Sequence, residues 1–305
     1  MVESWTPGAV TAAHAARLDP QGVRGLRDGS AAEGGGVLTA ERHAHTLVTA
    51  YFRIPSKHSH EEYTAWMRNM LSLHDHMVIF TSPDMAESIA GLRSHAKEKT
   101  LIVVMEVHDS RIGRAGNSSF WQRELERDPE RAVHRSFKLF WIWLSKSWFV
   151  SEAIGRNPFS SEVFVWSDIG CFRSPIYNGK LWVHHAGIIP PTTMLFMAGH
   201  APHGSHASPW VVKRGHNLIV AGAQMAGRRE TWGRFHAAFE QTLEGYVARD
   251  LFIGDDQALL ESTCLQHSSD LCAFVTKDMV PGDAWFGLQP ALHEGLSAPL
   301  WRFPP

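Results

Sequence analysis

Apolar residues along this chain fall into short dense runs separated by polar or turn-forming stretches, and the spacing within a run changes along its length. Residues 46–52 (Thr-Leu-Val-Thr-Ala-Tyr-Phe), 77–80 (Met-Val-Ile-Phe) and 101–105 (Leu-Ile-Val-Val-Met) are continuous, and they predict buried strands. Between the first two, 61–73 puts Tyr63, Trp66, Met67, Met70 and Leu71 at helical spacing. A second helix over 85–95 is opened by Pro83 and Asp84 as turn and N-cap. This β-α-β-α-β rhythm predicts a mainly parallel sheet with crossover helices. Residues 133–154 predict one long helix, apolar nearly all round and therefore buried, which Asn157 and Pro158 end. Residues 163–170 (Val-Phe-Val-Trp-Ser-Asp-Ile-Gly) then read as a buried strand running into an acid.

The second half is less regular. It predicts a strand over 181–188, a Gly/Pro/His loop over 199–206, and a strand over 217–222 that ends at Gly222. A helix over 230–247 follows, then a helix from Asp255 through Gln266, a last strand over 271–275 and a Pro-rich irregular end. Residues 1–44 are Ala/Gly-rich with no sustained apolar period, so they read as a disordered or loosely attached arm. The expected organisation is that arm followed by a single α/β domain over 45–305.

Composition narrows the function classes. At 305 residues, 44% hydrophobic and 20% charged, the chain reads as an ordinary soluble globular protein. A formal charge of -2 provides no global basic field for nucleic acid. No run approaches the ~20 apolar residues of a membrane span, and the N-terminus has no signal-peptide core. Cys171, Cys264 and Cys272 form no Cys-x-x-Cys, which argues against a disulfide framework or structural zinc and favours a reducing compartment. The expectation is a cytoplasmic protein whose membrane contact, if any, is peripheral.

Four constellations carry candidate chemistry. Asp168, at the end of its strand, either caps a turn or holds a divalent cation or a ribose hydroxyl. Asp255, Asp256 and Gln257 follow Gly254 at a helix start; one acid serves as the cap, which leaves the other to orient a hydroxyl or take its proton. Lys146, on the apolar helix, and Arg173, just past the Asp168 turn, suit a diphosphate; a snorkelling lysine is the plainer reading of Lys146. His200, His203 and His206 sit in a loop that does not fix metal geometry. No Gly-x-x-x-x-Gly-Lys, Gly-x-Gly-x-x-Gly or Gly-x-Ser-x-Gly occurs, which disfavours the standard nucleotide loops and the hydrolase elbow.

The strand motifs at 46–52 and 77–81, Ser-Lys-Ser-Trp-Phe-Val at 145–150, Asn-Pro-Phe at 157–159 and Trp-Ser-Asp-Ile-Gly-Cys-Phe-Arg at 166–173 occur in that order. In this series the chain resembles the HtrL/YibB family of bacterial lipopolysaccharide-core loci over roughly residues 46–290. That family is similar to GT-A-type glycosyltransferases. The resemblance implies a Rossmann-like, mainly parallel sheet flanked by helices, with a nucleotide-sugar bound at the strand ends. It implies that Asp168 is the first acid of an Asp-x-Asp motif holding Mn²⁺ or Mg²⁺, although Gly170 stands where the second acid belongs. It sets the donor near Thr49, Ala50, Tyr51, Lys146, Arg173, Gly222 and Gln257, and makes Asp255 and Asp256 the catalytic pair. The activity expected is sugar transfer to a glycan or other hydroxyl acceptor. Two rivals stand beside it: a non-catalytic carbohydrate- or nucleotide-binding protein, and a metal protein built on the histidine loop.

Overall fold

The computed structural model of the chain describes residues 44–199, 208–212, 218–267, 271–282, 284–296 and 298–303. The elements run β1 (His45–Tyr51), α1 (His60–Leu71), β2 (His76–Thr81), α2 (Pro83–Leu92), β3 (Thr100–Val104), α3 (Ser118–Arg127), α4 (Arg131–His134), α5 (Lys138–Leu144) and α6 (Lys146–Arg156). Then come β4 (Val163–Ser167), β5 (Met194–Ala198), β6 (Val220–Arg228), α7 (Arg229–Ala248), α8 (Asp256–Gln266), β7 (Cys272–Val275) and α9 (Leu288–Glu294). The seven strands form one sheet in the order β3-β2-β1-β4-β6-β5-β7. All neighbours are parallel except β4–β6 and β5–β6, so β6 is the one reversed strand.

A mainly parallel sheet is stable only when both faces are covered, and alternation along β1 shows how this is done. Leu47 and Tyr51 join a core with α1, α2 and α9, whereas Val48 and Ala50 join the other core, with α5 to α8. The helix ends are locally encoded. Ser59 and Glu62 make a reciprocal capping box at α1, and Asn157 closes α6 in the left-handed conformation at φ 32. The N-cap of α2 is Ser82, with Pro83 and Asp84 inside the first turn, in place of the expected Asp84 cap.

Several expectations are corrected. The helix expected over 133–154 is three helices, and Ser145 (φ -91, ψ 1) is the joint at which α5 stops and α6 restarts. Residues 181–188 form no strand: the Trp182 and Val183 N–H groups donate to the buried Asp75 carboxylate, and Ala186–Ile188 is a 3-10 turn. Residues 194–198 form β5, which was not expected. The Pro-rich end carries α9, and Trp301 exchanges backbone hydrogen bonds with Phe274 of β7. Cys264 and Cys272, both fully buried, are joined in a disulfide, where the sequence argued against a disulfide framework. Sequence spacing alone does not give such connectivity. No helix among the described residues is long and apolar enough to cross a membrane. Residues 1–43 of the arm, and His200, His203 and His206, lie outside the described residues.

Candidate functional site

The parallel strands β1 and β4 end side by side, and the chain beyond such ends is where an open α/β sheet binds ligands. A cleft opens there with a cavity volume of about 200 Å³. That is far more than the 10–15 Å³ or so that one water needs. β4 delivers Trp166 and then Asp168, whose N–H donates to Ala223 O of β6 at 2.9 Å. β6 makes a register shift against β5 between the pairs Phe196–Met225 and Met197–Ala221. Bulges of this kind re-aim backbone beside sites, and here residues 222–224 turn the Gly222 carbonyl towards Lys146.

Lys146 is the first residue of α6, and its side chain is only 4% exposed. Its Nζ stands 3.0 Å from Asp168 Oδ1, 3.2 Å from Asp168 Oδ2, 2.8 Å from Asp256 Oδ2 and 2.8 Å from the Gly222 carbonyl. An ammonium has three N–H bonds, and three acceptor groups surround this one. Burial works against its charge, but the two carboxylates outweigh that and raise its pKa. Asp168 is pushed above the ordinary carboxylate range, chiefly by burial and further by Asp256, with Lys146 opposing. Trp166 Nε1 donates to Asp168 Oδ1 at 2.8 Å and fixes the carboxylate's orientation.

At the start of α8 the two acids separate. Asp255 is the N-cap, accepting from Gln257 N at 3.0 Å, while Asp256 turns its carboxylate to Lys146. Gln257 donates its side-chain amide to Val220 O at 2.8 Å, tying the helix start to β6. A Cβ on Gly222 would stand 2.8 Å from Asp256 Oδ2, so the absence of a side chain there is what admits the carboxylate.

The walls are aromatic and the rim is basic. Tyr63 and Trp66 of α1 face the cleft with Trp143 and Phe286, while Arg53, Lys57, His58 and His60 follow β1. Arg173 lies over Trp66 at 4.5 Å and over Phe286 at 5.0 Å, in cation–π contact with both rings. Tyr51 Oη pairs with His60 Nδ1 at 2.7 Å, and burial pushes the phenol up to about 12. The Cys171 thiol is also raised, first by burial, which disfavours a reactive thiolate.

Ala50, Tyr51, Lys146, Asp168, Arg173, Gly222, Asp255, Asp256 and Gln257 all line this cleft. Thr49 does not; it is fully buried within β1, opposite Ile79. Gly222 lies inside β6 and not at a strand end. Sequence reasoning assigned Tyr63 and Trp66 to packing and passed over residues 53–60. The available signal there was a cluster of cationic and imidazole side chains directly after a strand end. Around Asp168 the oxygens are already committed to Lys146 and Trp166. Among the described residues no group of three or more His, Cys, Asp or Glu could hold a metal ion. The donor set therefore does not fit the divalent-cation site that the resemblance implies.

A profile of the family described as "Bacterial protein of unknown function (HtrL_YibB)" matches residues 43–288. Protein HtrL of Escherichia coli (strain K12) is 24% identical over 159 residues, covering 45% of this chain and 55% of that protein. The match thus spans little more than half the length of this curated relative.

Proposed function

The chain belongs to the HtrL/YibB family, and from that premise we propose that it is a glycosyltransferase, moving a sugar from a nucleotide-sugar donor to a glycan or other hydroxyl acceptor. The observation that carries this reading is the Lys146–Asp168–Asp256 cluster on the floor of a cleft at the strand ends. Carboxylates and an amide offer the acceptors and donors that sugar hydroxyls need. The Trp66, Tyr63 and Phe286 rings offer flat apolar faces for a sugar or a base. Asp168, placed after a buried strand as in GT-A-type enzymes, is paired with Lys146.

In this reading the acceptor oxygen attacks the anomeric carbon while the bond from that carbon to the phosphate oxygen breaks. The electron pair leaves with the nucleoside diphosphate. Asp256 orients the acceptor hydroxyl and takes its proton, and Lys146, 2.8 Å from its Oδ2, holds that carboxylate in place. Asp255 holds the helix start in register. The test is a screen of nucleotide-sugars by thermal shift, followed by release of nucleoside diphosphate with glycan acceptors. One donor should stabilise the protein and be turned over. Asp256→Asn should lower turnover by about 10²–10⁴ while donor binding persists. Donor binding without turnover on any acceptor would favour the non-catalytic binding protein instead, and no donor binding at all would remove both readings.

A further inference from the structure

We infer that this cleft takes the diphosphate of its ligand without a divalent cation, an inference that rests on the transferase reading above. The two tasks a metal would perform are divided among side chains. Lys146 holds Asp168 and Asp256 together, and Arg53, Lys57 and Arg173 meet the phosphate charge.

The first task is already filled. Lys146 Nζ sits 2.8–3.2 Å from the carboxylate oxygens of both acids and from the Gly222 carbonyl. Mg²⁺ would need such oxygens at about 2.0–2.1 Å, and this would press a dication against the buried ammonium. Asp168 Oδ1 also accepts from Trp166 Nε1. A second acid two residues on, which would help to chelate a metal, would have to push the aromatic wall aside by a few tenths of an ångström. A Cβ at Gly170 would stand 3.1 Å from Trp66 Cε3 and 3.2 Å from Tyr63 Cε1. The aromatic wall thus crowds the position where a second metal ligand would start.

The second task has candidates at the rim. Arg53, Lys57 and Arg173 are exposed and line the same cleft. Arg173 is stacked between Trp66 and Phe286, and Lys57 lies over the Trp143 ring at 5.2 Å. Among the described residues none of the three has a carboxylate ion-pair partner, whereas Arg111, Arg127 and Arg156 do. Aromatic faces position a guanidinium while leaving its N–H edge free, and that edge matches phosphate oxygens in a bidentate fork. An anion of two linked phosphates is the ligand chemistry this rim recognises.

The test is calorimetric titration of the full chain with inorganic pyrophosphate, first in EDTA and then with Mg²⁺. Pyrophosphate should bind in EDTA, with affinity changing by less than about threefold when Mg²⁺ is added. A variant carrying Lys57→Gln and Arg173→Gln, both at exposed positions, should still melt cooperatively, with a melting temperature lowered by no more than its three lost cation–π contacts cost. It should lose about tenfold or more in affinity, as expected for charge-assisted contacts. Binding that requires Mg²⁺, binding indifferent to the double variant, or no binding in either buffer each overturns the inference. The transferase reading fails separately. Donor turnover that needs Mg²⁺ or Mn²⁺ sinks cation independence and leaves sugar transfer standing. Pyrophosphate binding in EDTA with no donor turned over does the reverse.

Discussion

Replacing Lys146 with methionine removes the one cation between two buried acids while nearly conserving volume. Breaking such a group by deleting one partner costs about 3–5 kcal/mol, because the remaining charge is left uncompensated. The lower end applies here. Asp256 is 9% exposed and strands almost fully, but Asp168 is 34% exposed and recovers part of its solvation from the cleft. We therefore expect a loss of about 3 kcal/mol, large against the 5–15 kcal/mol or so of a typical domain but not enough to unfold it. Urea denaturation at neutral pH reads it as a shifted midpoint with unchanged slope. Adding Asp256→Asn should return about 1–2 kcal/mol, since the stranded charge is gone, and Asp168→Asn should return less. The pH dependence has a definite sign. Asp168 is held above its ordinary value by burial, against the pull of Lys146, and without the ammonium it rises further. A carboxyl raised in the folded state gives stability below its unfolded pKa and loses it as pH rises through the folded value. The deficit of the variant should accordingly shrink as pH falls from neutral towards the unfolded carboxyl value of about 4. A loss below about 1 kcal/mol, or no recovery with Asp256→Asn, would mean that the cluster is solvated and the reasoning wrong.

Three further outcomes are expected. Asp255→Ala should cost about 1 kcal/mol of stability through the lost cap, whereas Gly222→Ala, with its Cβ 2.8 Å from Asp256 Oδ2, should displace that carboxylate and cut donor turnover far more than it moves the melting temperature. His236 is held down at about 4, chiefly by burial and also by Arg111; the stability this contributes is present above about pH 6.5 and lost as pH falls towards 4, up to about 3 kcal/mol, and His236→Gln should flatten that acid limb in melts. Reducing the Cys264–Cys272 disulfide, which closes a sequence separation of 8, should lower stability by about 2.5 kcal/mol on the loop-entropy account, seen as a drop in melting temperature with reductant.

The β-α-β-α-β half was legible because each of its strands is a continuous β-favouring run, and a parallel sheet covered on both faces requires such runs. The 194–198 run (Met-Leu-Phe-Met-Ala) escaped because no β-branched residue marks it. Its neighbour β6 was cut short at Gly222 because glycine reads as an end, although here it makes room for a carboxylate. The break at Ser145 is invisible to periodicity, since apolar residues run on from α5 into the first turns of α6 at Trp148, Phe149 and Val150. The acids of the site were legible as acids out of place, at a strand end and beside a helix cap. The role of Lys146 was not. A lysine on an apolar helix reads as snorkelling or as facing phosphate, and only the folded chain shows three acceptor groups closing round it from β4, β6 and α8.

The sheet order has a consequence in time. β1 pairs with β4 across the more than one hundred residues between 51 and 163, and β4 pairs in turn with β6, further along the chain. Contacts between distant parts of a chain form slowly. Lys146, Asp168, Gly222 and Asp256 come from either side of these late pairings, so a chain paused on its folding route, or still emerging during synthesis, carries the acids but no cleft. A complete cleft is thereby expected only in molecules that have finished folding, and recovery of pyrophosphate binding after dilution from denaturant should trail the return of helical circular dichroism.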